Sequence, residues 1–262
     1  MPEGDTILRA ARALDRRLAG KRITSFESPL PRLARAELAG RRVDRVEARG
    51  KNLLFRFDDG RALRSHMRMT GSWHLYRPGE RWQKPARLAR AVLATEDAVA
   101  VCFNAPVVEL LTARELDRHE PLTRLGPDVL SPAFDPAAAV SLVAALPDRP
   151  IGEALLDQSA LAGVGNIYKS ETLFLCGADP FAGAGRYSED ELLRIVAKAR
   201  ALMSASVEGA PGALRARGRA RFRVYRRSGE PCRRCGSTIR MRRQGSDARS
   251  TYWCPTCQPS RA

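Results

Sequence analysis

The polar and apolar positions change rhythm twice along the chain. From Asp5 to Ala19, Leu8, Ala11, Leu14 and Leu18 recur at helical spacing, with Asp5 placed as the N-cap and Gly20 as the stop. Short β-rich runs follow: Arg22–Phe26, Arg42–Ala48, Asn52–Phe57, Ala62–His66 and Ser72–Tyr76. Asp59-Gly60 is a hairpin signal between two of them, and Thr95, Glu96 and Asp97 join a further pair, Arg90–Ala94 and Val99–Phe103. Beyond the Pro-rich stretch Leu130–Pro136 the period becomes helical again, over Ala137–Ala145, Ile151–Asp157, Asn166–Cys176 and Ser188–Ser204. Strands and helices in separate blocks predict an α+β chain of two domains, not an alternating parallel sheet.

Composition adds a partner class. The 262 residues are 44% hydrophobic, enough for a real core. No run approaches the ~20 apolar residues of a membrane span, and MPEGDTILRA lacks the apolar centre of a signal peptide. The expected compartment is therefore the cytoplasm, at the nucleoid if DNA is the partner. Net charge is +16, and +12 of it falls between Pro211 and Ala262, where fourteen Arg face only Glu230 and Asp247. Arginine suits planar contact with phosphate, so this end reads as a polyanion-binding surface with nucleic acid the leading candidate. Charge alone fits a merely solvated basic surface equally well.

Four of the six cysteines pair as Cys232-x2-Cys235 and Cys254-x2-Cys257, separated by eighteen residues, while Cys102 and Cys176 stand alone in apolar surroundings. That spacing suits two knuckles gripping one tetrahedral Zn²⁺. Four thiolates leave no open position, so the zinc is structural and does not activate water. Thiolates and ion together add about −2, which brings the tail nearer +10. The ribbon carries Arg233, Arg234, Arg240, Arg242, Arg243 and Arg249, suited to phosphate or groove contact.

Two further segments carry chemistry only in company. In IGEALLDQSALAGVGNIYK, Gly163 and Gly165 bracket a bend between two helices, and the amides opening the second helix at Asn166 form a ready phosphate site. An ordinary helical hairpin explains the same glycines. At the N-terminus, removal of Met1 would expose the secondary amine of Pro2. An α-amine titrates near ~8, roughly two units below Lys, and the following helix dipole lowers it further. Such an amine can attack C1′ of a deoxyribose, and the resulting iminium acidifies C2′ for strand cleavage by elimination. Glu3 stands next to it as acid and base. Alone, a proline after a start methionine says little.

Taken together, MPEG at the start, ARGKNLL around Lys51, LLDQSALAGVGNIYKSE and FRVYRRSGEPCRRCG…TYWCPTC closely resemble the family of formamidopyrimidine-DNA glycosylase and endonuclease VIII, in its order and over Pro2 to Cys257. The resemblance implies an N-terminal β-sandwich flanked by helices (residues 1–130), a helix–two-turn–helix domain (131–221) and a four-cysteine zinc finger (222–262). It implies a monomer that binds damaged double-stranded DNA with the damaged nucleotide flipped out, and no membrane. By position, Pro2 is similar to the Schiff-base nucleophile, Glu3 to the general acid/base, and Lys51 to the essential lysine at the lesion's phosphate. Asn166 and Arg249 resemble the phosphate clamps, His66 joins them, and Met69 falls where the family inserts a side chain into the emptied base space.

Two departures select a branch. The Arg-Arg-Phe element of 8-oxoguanine-directed relatives has no counterpart in CFNAPVVE, Cys102 to Glu109, and the Gly212–Arg221 loop is too short to cap a purine. Both resemble endonuclease VIII, implying a glycosylase and AP lyase for oxidised pyrimidines that nicks by β,δ-elimination. Thr6 stands where many relatives have Glu, which bears on the lesion pocket. The rival readings are an 8-oxoguanine/formamidopyrimidine glycosylase and a damaged-DNA-binding protein with reduced chemistry.

Overall fold

The N-terminal helix, α1 (Gly4–Leu18), buries Ile7, Ala11, Leu14 and Leu18, so Ile7 and not Leu8 opens its apolar stripe. Glu3, not Asp5, holds the N-cap position with extended backbone, and Asp5 lies buried in the first turn beside Arg9. Gly20, at φ +78°, turns the chain away as expected of a left-handed stop. The computed structural model describes residues 2–210, 213–216, 219–220 and 222–261. Met1, whose removal frees Pro2, and part of the Gly212–Arg221 loop lie outside the described residues.

The chain divides into two compact units, one ending at Thr123 and the other beginning at Arg124. In the first, β1 (Ser25–Glu27), β2 (Val43–Arg49), β3 (Asn52–Phe57), β4 (Ala62–His66), β5 (Ser72–Tyr76), β6 (Ala89–Ala94), β7 (Val99–Phe103) and β8 (Val107–Leu111) form two antiparallel sheets. Their orders are β2-β3-β4-β8 and β1-β6-β7-β5. One core joins α1, Leu53, Phe55 and Leu63 of the first sheet, and Ala91, Leu93, Ala100 and Cys102 of the second, which makes a sandwich. Trp73 fastens the layers, donating from Nε1 to Ser65 Oγ at 2.8 Å while its ring meets Phe55 at 4.7 Å. β8 has no clean alternation in its sequence. It is a strand because β4 offers an open edge, with Arg64 paired to Glu109 and His66 to Val107. Two short helices, α2 (Ala113–Asp117) and α3 (Glu120–Thr123), close this unit, the first with a Thr112–Glu115 capping box.

In the second unit α4 (Pro136–Ala144), α5 (Ile151–Ala154), α6 (Asn166–Cys176) and α7 (Glu189–Glu208) enclose a core that includes Val143, Leu155, Tyr168, Leu173, Ile195 and Met203. α6 is buried from Asn166 to Phe174, as a central helix must be. The helix expected over Ile151–Asp157 is a single turn, because the chain bends around the Gln158 side chain. That amide donates to the carbonyls of Leu156 at 2.8 Å and Val164 at 3.1 Å and accepts from Gly163 N at 3.1 Å. Of the two bracketing glycines, Gly163 takes the left-handed backbone at φ +97°, whereas Gly165 is extended. Two-residue strands β9 (Arg215–Ala216) and β10 (Arg219–Ala220) pair, and the antiparallel hairpin of β11 (Arg240–Gln244) and β12 (Arg249–Trp253) ends the chain's regular structure. Among the described residues, no helix is long and apolar enough to cross a membrane.

Candidate active site and nucleic-acid interface

Pro2 is half-buried and leads directly into Glu3, which is 1% exposed. The Glu3 carbonyl receives two amides of the first helical turn, Thr6 N at 2.9 Å and Ile7 N at 3.1 Å. A residue in that place sits at the positive end of a fifteen-residue dipole, which favours a carboxylate and disfavours protonation of a neighbouring amine.

α1 packs on β2 and β3, whose connecting turn is Gly50-Lys51. Gly50 has φ +59° at the first turn position, the geometry that matches a two-residue hairpin to the twist of its strands. Lys51, half-buried, is the second turn residue. His66 stands in register with Asn52, one residue beyond it, so β3 and β4 bring Lys51 and His66 to the same end of the sheet. Burial, then the charges of Arg64, Arg68 and Lys51, hold the His66 imidazole down at about 4. Its Nδ1 accepts from Arg68 N at 3.3 Å, which leaves the single proton of the neutral ring on Nε2.

Met69 tops the loop between β4 and β5. It is 60% exposed, so it fills no core, whereas Met67 beneath it is buried. Arg68 is held at φ +43°, Gly71 N closes on Met67 O at 2.8 Å, and Thr70 Oγ1 donates to Asn104 O at 3.1 Å. A Cβ on Gly71 would come within 2.7 Å of the Met67 main chain.

The second unit assembles Asn166 and Arg249. Asn166 begins α6 and donates from Nδ2 to Ser250 O at 2.7 Å, next to Arg249 at the start of β12. Lys169, fully buried one turn on, donates to Thr251 Oγ1 at 2.6 Å, and that hydroxyl donates to Gln244 Oε1 at 2.8 Å. The hairpin is thereby fixed to the helix while Arg249 stays exposed, paired with exposed Asp247 at 3.2 Å. Arg242 lies over the Phe181 ring at 3.7 Å and Arg234 over Phe174 at 4.6 Å. Those two guanidiniums also serve packing.

The thiol sulfurs of Cys232, Cys235, Cys254 and Cys257 all lie within 4.8 Å of one another. Four sulfurs around a tetrahedral ion at ~2.3 Å stand about 3.8 Å apart, and the Cys232–Cys257 and Cys235–Cys254 pairs are at 3.9 and 3.4 Å. The cluster therefore fits one structural metal ion. Cys102 is buried, with its thiol pushed up to about 12 by burial, and Cys176 is half-buried with its thiol raised for the same reason.

Sequence reasoning missed the buried polar chain behind Lys51. Arg64 is 6% exposed and grips Asn52 Oδ1 from Nε at 3.0 Å and Nη2 at 2.7 Å, while Nη1 reaches Glu109 at 2.5 Å. His119 Nε2 meets the same Glu109 oxygen at 2.8 Å. The available signal was an arginine in the middle of a β-rich run, Ala62–His66. It also missed Glu171, fully buried, whose carboxylate takes the backbone amides of Arg223, Val224 and Tyr225 at 2.9–3.0 Å.

A β-sandwich with an N-terminal helix, a helical unit with a Gly-shaped turn, and a hairpin holding four cysteines define a class of DNA-repair fold. Residues 1–106 match the formamidopyrimidine-DNA glycosylase N-terminal domain, 125–217 its H2TH domain, and 229–259 the zinc finger found in FPG and IleRS. The chain is 44% identical to "Probable endonuclease 8 2" of Streptomyces coelicolor, covering 98% of this chain and 94% of that one. It is 40% identical to "DNA-(apurinic or apyrimidinic site) lyase Nei2" of Mycolicibacterium smegmatis, over 98% and 99%. Among solved structures, Lactococcus lactis Fpg with an oxidised-pyrimidine-containing DNA superposes with a TM-score of 0.83 at 25% identity, over 99% and 100%. The chain belongs to the formamidopyrimidine-DNA glycosylase and endonuclease 8 family, a family of base-excision-repair glycosylases with AP lyase activity.

Proposed function

We propose that this protein removes oxidised pyrimidines from double-stranded DNA and nicks the strand at the resulting site by β,δ-elimination, with Pro2 as nucleophile. The reading rests on its family and on one observation above all: Pro2 leads into a buried N-cap Glu3 at the mouth of α1. The Pro2 amine, once free of Met1, attacks C1′ as the damaged base departs, and Glu3 protonates the ring oxygen as the sugar opens. The iminium acidifies C2′. Loss of that proton expels the 3′ phosphate, and a second elimination expels the 5′ phosphate.

Lys51 and the His66 Nε2–H serve the lesion's phosphates from the first unit, Asn166 and exposed Arg249 from the second. Met69 occupies the space of the extruded base. Zinc is the ion the four thiolates suit, and it holds the hairpin that carries Arg249. The preference for pyrimidines is supported at Cys102–Glu109. There β7 passes to β8 through a tight turn at Asn104, φ +52°, with Ala105 buried and no projecting Arg-Arg-Phe element. The endonuclease 8 names of the relatives point the same way. The expected workplace is the cytoplasm, at the nucleoid.

The test is borohydride trapping on a panel of thymine glycol, dihydrouracil, 8-oxoguanine and preformed abasic duplexes, with Pro2→Gly and Glu3→Gln alongside. A covalent adduct through Pro2, fastest on the pyrimidine lesions, is expected. Fastest trapping on 8-oxoguanine would establish the purine-directed alternative. Tight binding without any adduct would establish the damaged-DNA-binding one.

A further inference from the structure

The turn that presents Lys51 is closed twice, once by the hairpin backbone and once by a side chain. Asn52 Nδ2 donates to Arg49 O at 3.1 Å, reaching back across Gly50 and Lys51. The carbonyl end of the same amide is clasped by the Arg64 fork, through Nε at 3.0 Å and Nη2 at 2.7 Å. The remaining arm, Nη1, goes to Glu109 Oε1 at 2.5 Å, and Glu109 also receives His119 Nε2 at 2.8 Å. Asn52 is 4% exposed and Arg64 6%, so neither exchanges these bonds for water.

A hairpin of this kind needs no such chain to form. Gly50 already supplies the positive φ, and β2 pairs with β3 over its length. A buried cation is also a poor choice for stability, since a well-packed apolar side chain does as well there. What the chain does supply is orientation. The guanidinium is planar and its two prongs fix both position and rotation of the Asn52 amide. Register adds the connection: Asn52 faces His66, and Arg64 faces Glu109. Three strands, β3, β4 and β8, therefore hold one turn. The chain ends at His119, whose carbonyl receives Leu122 N and Thr123 N at 2.8 and 3.0 Å in α3, the last helix of the unit.

We infer that Arg64 is a positioning residue for Lys51: through Asn52 it fixes the turn from which Lys51 acts, and through Glu109 and His119 it anchors that turn to the end of the first unit. The inference rests on the role given to Lys51 above.

Single-turnover cleavage of a preformed abasic duplex tests it, with rates normalised to the borohydride-trappable fraction. Arg64→Met is expected to lower the rate constant by about 100-fold, the cost of an ångström-scale misplacement, with Kd for a tetrahydrofuran duplex unchanged. Arg64→Lys keeps the charge and loses the fork, and falls equally. Asn52→Asp keeps the acceptor and loses the donor to Arg49, and also falls. Loss only of trappable fraction in Arg64→Met, at a wild-type rate constant, would mean a plain folding role and overturn the inference. Full activity of Lys51→Ala would overturn it together with the Lys51 reading, whereas an inactive Lys51→Ala beside a fully active Arg64→Met would overturn it alone. Hydrogen exchange of the free protein decides the structural half independently of any activity. Faster exchange confined to the 50–52 amides in Arg64→Met is expected, and unchanged exchange there overturns the inference.

Discussion

The side-chain amide of Asn166 donates to the main-chain carbonyl of Ser250 at 2.7 Å, tying the first residue of α6 to the hairpin strand that begins with Arg249. Asn166 thus has a structural bond besides its proposed DNA contact, whereas Arg249 projects from the surface. Asn166→Ala should cost about 1 kcal/mol of stability and weaken duplex binding. Arg249→Ala should leave stability within about 0.5 kcal/mol, because its pair with Asp247 is exposed. It should also lower the salt slope of binding by about 1. Urea unfolding and affinity measured across a salt series separate the two. An unchanged salt slope in Arg249→Ala would remove that arginine from the interface.

Glu171 accepts three successive backbone amides, those of Arg223, Val224 and Tyr225, from inside the helical unit. Glu171→Ala leaves those donors without their acceptor and should destabilise the second unit by about 3 kcal/mol. Calorimetry should show the loss in one of two transitions if the units unfold separately.

Stripping the metal from the four cysteines with a strong chelator should release about one equivalent of zinc and abolish duplex binding. The reason is the small core of the hairpin, which among the described residues consists of Phe174, Val224, Cys232, Ile239 and Cys254. Cys254→Ser should reproduce this without chelator. Binding that survives complete metal loss would mean that the hairpin stands without the ion.

His66 gives a pH signature. Its ordinary value is 6.5, and burial with the Arg64, Arg68 and Lys51 charges lowers it to about 4 in the folded chain. Between those values the unfolded chain binds the extra proton, so its contribution is complete above about 6.5 and is lost as pH falls towards 4. His66→Gln should therefore lose less Tm than the wild type between pH 6.5 and 4. Parallel Tm curves would show that the imidazole is not held neutral.

The sequence carried the fold where local signals agreed with tertiary demand. β3, β4, β5, β7 and α6 fall on their expected bounds because the local residue pattern and the turn residues that bound it agree there. It failed where a distant partner decides. β8 exists because β4 has an open edge, α5 stops because Gln158 captures the chain, and Ile7 replaces Leu8 because the sheet sets the rotation of α1. Of the candidate site, the cysteine spacing and the family motifs were readable. The Asn52–Arg64–Glu109–His119 chain was not, since its members are up to sixty-seven residues apart in the numbering and none is unusual alone.

The loop under Met69 is closed by main chain alone at its base, with Gly71 against Met67, while Arg68, Met69 and Thr70 at its tip are exposed. Base and tip therefore answer to different selection. Gly71 tolerates no replacement, since a Cβ there meets the Met67 main chain, yet the Met69 side chain, exposed at the tip, can be exchanged without refolding anything. On the role proposed for Met69, a descendant protein can change that one tip side chain while the base of the loop stays closed.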